Sequence, residues 1–374
     1  MTVTFRSVLM ALMSSALFFG FLHLFVPEGM THNFERLHIF LFNLCSGGTI
    51  ILYFTEHQTD ASKKVMVFCV LAVIYAALAF LKIYIPAMVI SLALAVIVES
   101  VRIRKFSLFP GDFFRSSVPV ERKFHQASLL CLSIGLVISC GVILNNEYLK
   151  IVSFPKLKLD TFFLGFSFPL SLITMSLMFS FMKDDVRPLT RVLKNIGFWT
   201  VNLGVIIFFL FILFEKLTMQ LIVTCVLFTA VIMIFCLFAD LGIHIQQKSF
   251  LISGMGFLLF TAVTGIGYII LEFFPEYYTP AASEFLLKLH SFASLYGWNL
   301  SGLAVICRYE DFPIRLHSKG TILFHWIIVL CLAPLGVYFH FFAVCAIICY
   351  TVFLYILFSS KGAVRIGNQR KHIG

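Results

Sequence analysis

The chain has 374 residues, 60% of them hydrophobic and 12% charged, with a mean hydropathy of +0.99. Soluble globular chains carry about 25% charged residues, so a water-soluble enzyme or binding domain is excluded. The formal charge of +10 does not point to nucleic acid, because Lys and Arg are scattered through short segments between apolar runs and form no basic block.

Apolar runs long enough to cross about 30 Å of hydrocarbon recur from end to end. Taken in order, they predict about twelve spans: 5–26, 35–54, 64–82, 84–103, 125–146, 160–182, 194–214, 217–239, 249–273, 284–307, 319–338 and 340–359. The first follows Arg6 and reads as a retained span, since it is longer than a signal-peptide core and no small-x-small cleavage site follows. Only Lys82-Ile83-Tyr84 separates the third from the fourth, so a merged or re-entrant hairpin is the alternative there. Between the fourth and fifth, Phe106, Phe109, Phe113 and Phe114 stand among basic residues and predict a segment lying on the membrane surface.

With the N-terminus inside, cytoplasmic segments hold 21 Lys and Arg and the opposite side 7. That asymmetry predicts an even number of spans with both termini cytoplasmic. The prediction is an all-α integral membrane protein, residues 1–374 forming one polytopic domain in a bacterial inner membrane. Its partners are the lipid bilayer and, further, a redox partner or another membrane subunit. Most of the ten cysteines fall inside spans, where thiols are ordinary core residues.

Ionisable side chains inside spans are costly and mark function. The carboxylates Glu99, Glu147, Asp160, Asp240, Glu272 and Glu284 stand at span ends and none at mid-membrane, which argues against an ion-driven carrier. The histidines are more informative. His57, His125, His244, His317 and His372 fall near cytoplasmic loops and read as solvated, and His325 lies about two turns into the eleventh span. His23, His32, His38, His290 and His340 fall on the other side, with His38 and His290 inside the second and tenth spans at similar depth. Two imidazoles on facing helices are a natural axial pair for haem iron. The competing reading is that span-end histidines reach headgroups or loop carbonyls. Gly47 and Gly48 beyond His38, and Gly297 beyond His290, either admit a flat ring or serve helix contacts. Asn299, beside Trp298, needs a partner in an apolar setting, a helix backbone or a propionate. Pro169 and Pro334 predict kinks.

The stretch Arg36-Leu37-His38, followed by apolar residues and Gly47-Gly48, resembles the second span of subunit I of haem–copper oxidases. Leu289-His290 through Gly297 to Gly302 and Arg308 is similar to the tenth span of smaller relatives such as the NnrS family. The motif-level likeness covers about 40 residues. It implies a haem–copper oxidase-like bundle with His38 and His290 as axial ligands to a b-type haem. Electron transfer, redox sensing or nitric-oxide tolerance would follow. Spans six and seven contain no histidine and the tenth contains only His290, so the copper and the oxygen-reducing haem lack ligands. What the resemblance leaves is a single haem b, or copper or another transition metal on His38 or His290 completed by His23, His32 or His340. The rival readings are a membrane transporter or lipid-handling protein, or a non-catalytic membrane subunit, with no cofactor.

Overall fold

A computed structural model of the chain describes residues 1–26, 33–56, 60–153, 156, 163–183, 187–274 and 276–362. Eleven helices among them are long and apolar enough to span a bilayer. In chain order these are α1 (Val3–Leu22), α2 (Phe34–Glu56), α3 (Lys63–Phe80), α4 (Tyr84–Lys105), α5 (Val120–Leu149), α6 (Phe163–Ser180), α7 (Pro188–Leu213), α8 (Leu217–Leu241) and α9 (Gln246–Glu272). After α10, which is residues 280–307, come α11 (Lys319–Gly336) and α12 (His340–Ser359). The third and fourth predicted spans are separate helices, as α3 and α4.

The sequence count of twelve therefore needs a correction in kind. α10 is about 42 Å of continuous helix, long enough to span, but it is not among the eleven that qualify on length and apolar content together. The reason is burial. Every residue from Leu295 to Arg308 is buried, so this helix meets protein on all sides and has no need to be apolar toward lipid. Its passage through the bundle follows from parity. The start of α1 and the end of α12 meet at one point, which requires an even number of crossings.

That point is a knot around Arg308, which is 1% exposed. Its guanidinium donates to Leu357 O at 2.8 Å, Ser360 O at 2.9 Å and Asp311 Oδ1 at 3.0 Å, while Arg6 of α1 donates to Asp311 Oδ2 at 3.3 Å. Burial lowers the Arg308 pKa, and the Asp311 carboxylate offsets only part of the cost of enclosing the charge. We refer to this end of the bundle as the terminal face and to the other as the opposite face.

α2 and α6 are the other enclosed helices. Each has 78% of its membrane window buried, against 22% for α7, which lies at the rim. Close approach is made possible by glycines. A Cβ on Gly135 of α5 would sit 2.3 Å from the Cα of Gly165 of α6, and one on Gly302 would sit 1.9 Å from Thr174 Oγ1. The two predicted kinks take a specific form. Pro169 and Pro334 would clash with the carbonyls of Gly165 and Leu330 four residues back. Both carbonyls lie in π-helical turns, Phe163–Ser167 and Ile328–Leu332, whose wider winding accommodates the ring. Further π turns occupy Phe40–Gly48 in α2, Leu144–Leu149 at the end of α5 and Ala293–Asn299 in α10.

On the terminal face, residues 106–119 form the expected surface segment. Leu108, Phe109 and Phe114 are more than 70% exposed, while Phe113 packs against Phe198 of α7. His125, read as solvated, is instead buried: its Nε2 hydrogen-bonds Thr55 Oγ1 at 2.8 Å and its ring stacks on Phe54. A hydroxyl within reach on α2 allowed a span-end imidazole to turn inward.

Removing Arg308 leaves the Leu357 and Ser360 carbonyls without their donor, while the Asp311 carboxylate keeps Arg6. Arg308→Met is expected to destabilise the protein by about 1–3 kcal/mol through the stranded carbonyls, read by thermal unfolding in detergent. Arg115→Ala, whose side chain is 71% exposed, should change stability by less than about 1 kcal/mol. An Arg308→Met protein with wild-type stability contradicts this role.

Candidate functional site

His38 stands in the first turns of α2, which begins with Asn33 accepting the Arg36 N–H at 2.9 Å. Its ring lies on Gly20 of α1, where a Cβ would come within 3.4 Å of His38 Cγ, and faces Tyr296 of α10 with ring centres 6.4 Å apart. His290 is held on another side. Its Nδ1 donates to Thr261 O of α9 at 2.9 Å, and its ring edge rests against Gly265.

Helical geometry explains the divergence. Lys288 reaches across to Glu35 of α2, and Phe292 and Tyr296 on that same face meet Phe21 and His38. Two residues beyond Lys288 is about 200° around the helix, so His290 looks toward α9 with the body of α10 between it and His38. Axial nitrogens on one iron lie roughly 4 Å apart, two bonds of about 2 Å. His38 and His290 stand against different helices, α1 and α9, on different sides of α10.

Two of the remaining expected ligands bond carbonyls at the end of α1, and His23 stands close enough to Glu35 and His38 to interact with both electrostatically. His23 bonds the Gly20 carbonyl one turn back at 2.9 Å, and His340 bonds the Leu24 carbonyl beyond the end of α1 at 2.9 Å. His32 lies outside the described residues. Among the described residues, no three His, Cys, Asp or Glu side chains stand together as a metal group. The three glycines face side chains. Leu170 lies over Gly47, Phe68 over Gly48 and Phe257 over Gly297. Asn299 finds its partners on α6: Ser171 donates to its Oδ1 at 3.0 Å, and its Nδ2 donates to Ser167 at 3.2 Å. Trp298 joins them by donating to Ser171 at 3.1 Å. Ser167 and Ser171, spaced i, i+4 on one face of α6, were the sequence signal for this network.

A second polar group surrounds Tyr296. His325 of α11 donates from Nε2 to Tyr296 O at 2.7 Å, which fixes its tautomer and leaves Nδ1 as a lone pair. Tyr350 of α12 meets the Tyr296 ring edge-on at 5.1 Å. The Tyr296 and Tyr350 hydroxyls, His325 Nδ1 and His38 Nδ1 are buried without a hydrogen-bond partner in the described structure. This centre is enclosed, and Tyr350 carried no signal in the sequence that set it apart from a packing residue.

The open site is elsewhere, on the opposite face. A cavity of about 120 Å³ lies where the ends of α2, α3, α4 and α5 meet. Its polar lining includes Arg36, Lys82, Tyr84 and Glu147; Leu37, Phe40 and Phe80 supply apolar wall. At its base Tyr75 and Ser139 hydrogen-bond each other at 2.6 Å. Lys82 occupies the left-handed position of the α3–α4 turn, φ 59°, where glycine is the usual residue. On the lipid side a larger crevice of about 380 Å³ runs between α5, α6 and α7, lined by apolar residues such as Ile134, Ile138, Ile206 and Leu210.

The two buried polar groups predict opposite responses. Tyr350→Phe removes a hydroxyl that has no partner and should leave thermal stability unchanged or raised by up to about 1 kcal/mol; Asn299→Leu strands two serines and should cost about 1–3 kcal/mol. Equal losses in both variants contradict the assignment. No protein-family model, no curated protein and no solved structure matches the chain.

Proposed function

We propose that this integral membrane protein handles phospholipid, taking the polar head into the cavity on the opposite face. The observation that carries the reading is the lining of that cavity. Two cations, Arg36 and Lys82, stand over apolar and aromatic wall at the end of a helix bundle, the level at which headgroups meet hydrocarbon. A guanidinium matches a phosphodiester with paired N–H donors, and an ammonium adds a mobile point charge. The crevice between α5, α6 and α7 is apolar and opens on the lipid side, with Ile206 and Leu210 exposed there, and suits an acyl chain.

A second reading keeps a metal or haem on His290 without His38. It is favoured by the Nδ1 bond to Thr261 O, because a metal-binding imidazole usually commits its other nitrogen to a carbonyl or carboxylate.

Native mass spectrometry of the detergent-purified protein tests the first reading. The wild type is expected to retain phospholipid, and Arg36→Gln with Lys82→Gln is expected to weaken binding by about a hundredfold or more, since charge-assisted hydrogen bonds contribute about 1.5–3 kcal/mol each. Equal occupancy in both proteins overturns it. A haem absorption band lost in His290→Ala favours the second reading.

A further inference from the structure

On the terminal face, across the bundle from the cavity, we propose that residues 104–122 form a binding surface for anionic phospholipid of the adjoining leaflet. The backbone there is held in place by buried groups. Arg102, 3% exposed, ion-pairs with Glu99 and donates to the Ser107 and Leu108 carbonyls, both at 3.0 Å, which bends the chain at the end of α4. The Phe106 ring lies under the Arg122 guanidinium at 5.4 Å and against His125, and Phe113 packs on Phe198 of α7. With these two rings turned into protein, Leu108, Phe109 and Phe114 remain outside, each more than 70% exposed. An apolar cluster of this kind is costly in water and favourable where hydrocarbon begins.

The charges beside the cluster decide the kind of lipid. Arg102 is engaged with Glu99, and Lys123 is buried on Asn195 at 2.8 Å. Arg115 and Arg122 share Asp112 at 3.6 and 3.3 Å, which leaves one positive charge between them. Arg104 and Lys105 are exposed, and no ion pair joins either to a carboxylate among the described residues. Both line a recess of about 160 Å³ between the ends of α2 and α4, with Thr55, Val101 and Glu56. Glu56 opposes an anion there, but it accepts a hydrogen bond from Ser62 and faces two cations.

Lys63 and Lys64 stand exposed at the adjoining start of α3, after Asp60. Across residues 56–64 and 99–123, eight Lys and Arg meet five Asp and Glu, so the surplus is positive. A zwitterionic head carries its own counter-charge and gains little from that surplus. A head of net negative charge is attracted by it, and salt screens the attraction. Apolar anchors and a cationic surplus together are the two signals that hold a segment to an anionic membrane surface.

Trp199 of α7 reports on this surface, because its ring centre lies 5.4 Å from that of Phe114. Full-length protein is reconstituted in phosphatidylcholine containing an equal fraction of either brominated phosphatidylglycerol or brominated phosphatidylcholine. Bromine quenches tryptophan fluorescence at short range, and the difference between wild type and Trp199→Phe isolates the Trp199 contribution. At low salt the glycerol lipid is expected to quench it about twofold more strongly than the choline lipid. The preference is expected to vanish toward about 1 M salt, where the Debye length falls to about 3 Å. Arg104→Gln combined with Lys105→Gln and Arg115→Gln is expected to abolish the preference and leave quenching by the choline lipid unchanged. Equal quenching by the two lipids in the wild type, or a preference that persists at high salt or in the triple variant, overturns the proposal. The triple variant changes exposed side chains alone, so it decides even if Trp199→Phe does not fold.

Discussion

A bilayer interior offers no partner to a polar group, so the most polar helix of a membrane bundle must be wrapped by the others. α10 is that helix here. It carries Lys288, His290, Tyr296, Trp298, Asn299 and Ser301 in one run, and its second half, from Leu295 on, is buried among α2, α6, α9, α11 and α12. The rest of the architecture answers this demand. α6 supplies serines to Asn299 and Trp298, α9 supplies a carbonyl to His290, and Arg308 at the end of α10 draws the first and last helices together. Glycines let the backbones approach closely enough for these short polar contacts to form.

Much of the fold was legible. Apolar runs mark eleven of the helices to within a few residues, because lipid contact imposes a composition that no soluble element shares. The tenth span was read at 284–307, where only the last eight residues, Leu300–Cys307, are strongly apolar, and the polar stretch before them was the informative anomaly. Polarity in a span signals enclosure by protein before it signals chemistry.

The site was less legible, for identifiable reasons. His38 and His290 stand at matching depths in the sequence, but depth says nothing of azimuth. Lys288 and His290 are two residues apart and so face opposite ways, one toward α2 and the other toward α9. The π turn from Ala293 to Asn299 shifts the helical register again, so a 3.6-residue wheel drawn through α10 misplaces everything after it. The cavity is harder still. Arg36, Lys82 and Glu147 are separated by dozens of residues, and each looks like an ordinary charged residue at a helix end until the helices are assembled. Gly47, Gly48 and Gly297 illustrate the reverse case, in which a pattern suited to a flat ring serves helix packing with Leu170, Phe68 and Phe257.

The lipid and haem readings place their ligands in different parts of the bundle, which makes direct imaging decisive. The measurement is an experimental density map of the full-length protein in nanodiscs of defined phospholipid. The account predicts a headgroup-shaped density between Arg36, Lys82 and Glu147, with the His38 ring against Gly20 and His290 on the Thr261 carbonyl. A flat macrocycle bridging His38 and His290, with no density in the cavity, would contradict it.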